Sequence, residues 1–188
     1  MESFPRCTWI SVILACMLAG CATSSKPVEV SYEGSSNRTT YETKEMRLEG
    51  MQVTEGLEQD TRFYVRVSGS CTGRDCAPRT YTMSFIKEGM QSVRIEGRDV
   101  RLKVGTETMS WEDPQSRNVN RTSSIQSGTF AQISLTSKQL TTVGSVRSVN
   151  GTVGGMSFSI PRETRAPIRK LLSRLGKEES SSSEQSSS

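Results

Sequence analysis

The residues whose types and spacing could do chemistry fall into two groups. One is the cysteine pair of Cys71-Thr72-Gly73-Arg74-Asp75-Cys76; the other is the acids Glu107, Glu112 and Asp113 around Trp111. Two nearby thiols could supply half of a zinc site. The chain has no histidine, however, and its other cysteines, Cys7, Cys16 and Cys21, all lie near the N-terminus, so the usual ligand set cannot be completed. Nor is the spacing the Cys-x-x-Cys of a redox motif. Paired carboxylates beside an aromatic ring suggest glycoside hydrolysis. Yet Trp111-Glu112-Asp113-Pro114 reads as a strand running out into a turn set by Pro114. Trp111 itself is either a core residue or a stacking platform for a ligand, and it is the one ligand-binding candidate.

Without histidine, Ser-His-Asp and Cys-His arrangements are excluded. Ser84-Phe85-Ile86-Lys87 resembles the Ser-x-x-Lys motif of penicillin-recognising enzymes, and Ser148-Val149-Asn150 resembles their second motif. In that family the serine stands at a helix start, so that the lysine one turn later reaches it. Here the motif falls in a strand pattern, where positions three apart face opposite sides. The third motif, Lys-Thr-Gly, is missing. No catalytic residue, metal or cofactor is assigned on this reading, and the chain is not expected to be an enzyme.

Leu18-Ala19-Gly20-Cys21 ends an apolar run that starts near Trp9 and follows Arg6. The run has signal-peptide length and is too short to span a bilayer. Together these residues resemble the lipobox of bacterial lipoproteins, and the same run also fits an ordinary signal peptide cut near Ala22. The resemblance implies cleavage of residues 1–20, acyl chains such as palmitate on Cys21, and stable membrane attachment, since several chains hold where one holds weakly. Ala22 replaces the aspartate that resembles an inner-membrane retention signal, so an outer-membrane, periplasm-facing location is expected. Cys7 and Cys16 leave with the signal and Cys21 carries lipid. In an oxidising compartment the remaining Cys71 and Cys76 then read as one disulfide. Closing so small a ring contributes about 2 kcal/mol in the chain-entropy model.

Residues 21–40 read as a lipidated flexible tether, 41–175 as a β-rich globular domain and 176–188 as a disordered serine-rich tail. Apolar residues alternate through Phe63-Val65-Val67, Tyr81-Met83-Phe85, Val93-Ile95, Val100-Leu102-Val104, Ala131-Ile133-Leu135 and Met156-Phe158-Ile160. A period of two with one apolar face marks half-buried antiparallel strands. Gly97 and the pair Asn150-Gly151 read as hairpin turns. The predicted fold is mainly β: an antiparallel β-sandwich or open barrel of seven to nine strands, with a short helix and a C-terminal amphipathic helix. The short helix covers Ser137 to Val143, capped by Thr136 or Ser137, with Leu140 and Val143 inward. The other carries Ile168, Leu171, Leu172 and Leu175 as one stripe, starts at Pro167 and ends at Gly176.

Arg162, Arg165, Arg169, Lys170, Arg174 and Lys177 crowd the remaining surface of that helix. They form either a solvated face or a basic face that meets anionic lipid or an acidic partner. The net charge of +4 is spread along the chain, so no nucleic-acid partner is expected. The sequence favours a lipid-anchored binding or structural module of the cell envelope, with an envelope protein or glycan as partner. The alternatives are a lipid or lipoprotein carrier with a cavity lined by Phe63, Phe85, Phe130 and Phe158, and a carboxylate-based hydrolase. The ligand and the oligomeric state are not legible.

Overall fold

The computed structural model describes residues 26–51, 61–89, 93–94, 99–112, 124–125 and 128–185, with backbone alone for 93–94, 124–125 and 177–185. The signal segment, Cys21, Asp113, Pro114, Ile95 and Gly97 therefore lie outside the described residues. The strands are β1 (Val28–Glu33), β2 (Arg38–Thr43), β3 (Met46–Arg47), β4 (Arg62–Thr72), β5 (Thr80–Glu88), β6 (Val93–Arg94), β7 (Val100–Val104), β8 (Glu107–Trp111), β9 (Ser124–Ile125), β10 (Gly128–Thr136), β11 (Val149–Val153) and β12 (Met156–Ile160). The helices are α1 (Ser137–Ser145) and α2 (Ala166–Gln185). The fold is mainly β, as the alternation predicts.

The larger antiparallel sheet runs β1-β2-β4-β5-β10, and β3 pairs with β4 beyond the end of β2. The smaller runs β12-β11-β7-β8, and β6 pairs with β9. Register puts Val65 opposite Phe85, and Phe85 opposite Ala131, so Phe63, Val65, Val67, Met83, Ile133 and Leu135 share one buried face. The smaller sheet turns Val100, Leu102, Val149, Phe158 and Ile160 toward that face, and the two meet in one core. Phe85 packs on Phe158 at 5.4 Å between ring centroids, and Phe130 packs on Phe63 at 5.9 Å.

The two sheets are joined at both margins. At one, the Trp111 indole of β8 donates to the Ser134 carbonyl of β10 at 3.2 Å. At the other, Glu49, just after β3, exchanges two backbone hydrogen bonds with Ser159 of β12. Both edges of the smaller sheet, β8 and β12, are thereby tied to the larger one, a partial barrel-like closure, while β1 remains an edge strand of the larger sheet. Both helices cover the larger sheet, α1 against β5 and β10 and α2 against β1 and β2. Thr136 caps α1 in a reciprocal capping box with Gln139, and Leu140 and Val143 are buried.

Three expectations change. Residues 28–40 are not a free tether: Val28↔Thr43 through Glu33↔Arg38 pair as a hairpin, and Gly34 to Asn37 are its turn. Val28 is buried and Val30 packs on the core, so a short apolar alternation suffices to dock the strand. Asn150-Gly151 is not a turn but the middle of β11, and the chain reverses at Gly154-Gly155, both with positive φ. Gly151 sits where β11 passes under Phe158: a Cβ there would lie 2.6 Å from that ring. Finally, α2 continues through Gly176 to Gln185, where a disordered tail was expected. Gly176 lacks the positive φ of a helix-ending glycine.

Candidate functional site

The sequence-predicted chemistry disperses once the strands are in place. Ser84 lies on the outer face of β5, where the Gln132 amide donates to its hydroxyl at 3.1 Å. Lys87 lies on the inner face opposite Phe63, fully buried, and its ammonium donates to the Gly89 carbonyl at 3.1 Å. The serine-lysine pair thus straddles the sheet and cannot share a proton. Burial pushes the Lys87 ammonium below the ordinary lysine pKa.

Glu107 opens β8 and Glu112 follows its last residue, both exposed. Strand rise separates them by about 16 Å, beyond the 9.5 Å or so that glycosidic carboxylate pairs span. Trp111 is half-buried against the core, with its indole nitrogen held by Ser134, and so belongs to the seam and is no free platform. Among the described residues no cluster of three or more acids and cysteines could hold a metal.

Cys71 and Cys76 are bonded, with Cα atoms 6.0 Å apart. The closed loop hangs on the hairpin of β1 and β2. The Tyr41 hydroxyl donates to the Cys76 carbonyl at 2.8 Å, the Thr39 hydroxyl donates to the Gly73 carbonyl, and the Gly73 amide donates to Asn37. Arg74 lies 4.6 Å above the ring of Tyr32, which is 38% exposed. The loop and hairpin form one braced end of the larger sheet.

Arg165 was expected on a solvated basic face, but it is fully buried. Its guanidinium donates to the carbonyls of Val143, Val146 (2.9 Å) and Arg147 (3.0 Å), and to Pro161 at 3.4 Å. It thereby satisfies carbonyls at and beyond the C-terminus of α1 that would otherwise lack partners. Burial foremost, then the charges of Arg169 and Arg162, lower its pKa from the ordinary arginine value. Sequence reasoning had no signal for this role, because the carbonyls lie about twenty residues upstream.

Among the described residues, a cleft of about 330 Å³ opens between the start of β1 and α2, lined by Lys26, Pro27, Val28, Lys170, Ser173 and Arg174. Its geometry follows from helical period. Ile168, Leu171 and Leu175 turn inward and are buried, which leaves Lys170, Ser173 and Arg174 as an adjacent i, i+3, i+4 stripe along the outer side. Val28, docked beneath the helix, brings Lys26 and Pro27 to the opposite wall. The Lys44 amide, in the bend after β2, donates to the Pro27 carbonyl at 3.0 Å and fixes that wall. Three of the six lining residues are cationic and none is acidic. The basic helix was legible in the sequence; its pairing with Lys26 was not. No family model, curated protein or solved structure matches the chain.

Proposed function

We propose that this chain is a lipid-anchored binding or structural module of a bacterial cell envelope, fixed to the membrane through acylated Cys21. Placement of the domain supports this reading. The lipobox-like Leu18-Ala19-Gly20-Cys21 stands only seven residues before β1, the edge strand of the larger sheet. A connector this short spans at most roughly 25 Å when fully extended, so the domain works beside the bilayer and not far from it. Binding would use the surfaces that this placement leaves open, above all the braced end with Tyr32 and Arg74.

One observation favours this reading over a carrier of lipid or lipoprotein. Phe63, Phe85, Phe130 and Phe158, the residues expected to line a carrier cavity, pack against one another. Their rings fill the interior that a carried acyl chain would need.

Labelling tests the anchor. Cells fed an alkynyl palmitate should yield labelled protein in the membrane fraction, and Cys21→Ser should yield none. Labelled, membrane-bound mature protein persisting in the Cys21→Ser strain would sink the reading.

A further inference from the structure

We infer that the cleft between Lys26, Lys170 and Arg174 receives the phosphate of an anionic lipid headgroup, in the same membrane that Cys21 occupies. The inference rests on the anchor reading for its membrane, but its physical basis is separate. Two distant chain segments bring three cations and the Ser173 hydroxyl around one concavity with no acid in its lining. Pro27 and Val28 supply an apolar side, which suits the glycerol backbone of a lipid better than a fully hydrated ion. The site is also in the right place, because Lys26 follows Cys21 by five residues, a contour length of roughly 18 Å at most. Acyl chains on Cys21 therefore hold the mouth of the cleft within reach of the headgroup layer. A basic site so near the bilayer meets the anionic headgroups beside it at high local concentration.

The contact would do what an anchor alone cannot. A single point of attachment leaves the domain free to rotate. A second point of contact on α2 holds the helix side toward the bilayer and turns the braced end with Tyr32 to a defined angle. Three surface cations give an affinity ratio on the order of 100-fold for anionic over neutral bilayers.

The test uses residues 21–188 with Cys21→Ser, which retain every described element and carry no acyl chain. Co-sedimentation should favour vesicles with about 40 mol % phosphatidylglycerol over pure phosphatidylcholine by on the order of 100-fold, and the preference should fade at about 0.5 M salt. The triple variant Lys26→Gln, Lys170→Gln, Arg174→Gln should lose most of it, while a control of equal charge, Arg101→Gln, Lys103→Gln, Lys138→Gln, keeps it. The charge-preserving Lys170→Arg should bind as wild type, which separates lost charge from lost folding. Equal losses in both triples, or no preference for anionic vesicles, would overturn the assignment. Full displacement by inorganic phosphate at constant ionic strength would overturn it in favour of a free-phosphate site. Because no acyl chain is present, failure of palmitate labelling and failure of vesicle binding are read independently.

Discussion

The Arg165 guanidinium donates to the Arg147 carbonyl at 3.0 Å, and the same group reaches the carbonyls of Val143 and Val146. One buried cation thus gathers the end of α1 and the segment that leads into β11. Truncating Arg165 to Ala should cost on the order of 3 kcal/mol, because several buried carbonyls lose their donor together. Lys at this position keeps the charge but cannot fork to three acceptors, and should recover less than half of the loss. Urea denaturation of the two variants checks both values. A midpoint for Arg165→Ala equal to wild type would remove the clamp from this account.

Gly151 and Gly176 should respond oppositely to alanine. At Gly151 the new Cβ meets the Arg101 carbonyl oxygen and, at 2.6 Å, the Phe158 ring. Overpacking against backbone costs about 1–3 kcal/mol. At Gly176 an added Cβ would meet no atom of the described residues within 4 Å, and φ is not positive. Alanine there should stabilise by up to about 1 kcal/mol, because α2 continues through this position. Thermal melts decide, and a destabilised Gly176→Ala would place the helix end at Gly176 after all.

Lys87 gives the pH prediction. Burial holds its native pKa below 10.5. Between the native and unfolded values the unfolded chain keeps the proton that the native protein has released. Stability from this group therefore rises as pH climbs through the native pKa toward the unfolded one, and is lowest below that window. Lys87→Met, close in volume and unable to titrate, should be at least as stable as wild type near neutral pH. The wild-type-minus-variant difference should shrink at alkaline pH. A difference independent of pH would show that the buried ammonium is fully compensated.

The Cys71–Cys76 bond should contribute about 2 kcal/mol, and its loss should act at a distance on the hairpin that it braces. Mass spectrometry of unreduced protein should find the two residues joined. Hydrogen exchange after reduction should rise first at Gly73, whose amide is held by Asn37. Free thiols in periplasm-derived protein would refute the assignment.

Most of the fold was legible because half-buried strands write their faces into the chain every second residue. Phe63, Val65 and Val67, or Val100, Leu102 and Val104, could hardly be read otherwise. The misreadings share a cause. Val28 and Val30 make so short an alternation that the turn residues after them dominated, although those residues are the hairpin's own turn. Asn150-Gly151 carries turn chemistry, yet Gly151 is small because Phe158 must cross it, a relation between strands that no local pattern records. The candidate site was half visible. Lys170 and Arg174 announced a basic face, but their partner Lys26 stands across the fold, and Arg165, of the same type, went into the interior because distant carbonyls awaited it.

The early start of β1 also has a mechanical consequence. Any pull transmitted along the chain from residue 21 meets first the Pro27 carbonyl, held by the Lys44 amide, and then Val28, the open end of a hairpin whose pairs run from Val28↔Thr43 to Glu33↔Arg38. Loaded from that end, the hairpin would part pair by pair, the weakest way to strain a β-ladder. Its first pair, however, is the one wedged beneath α2, with Val28 and Thr43 both buried. The lock sits where the load arrives.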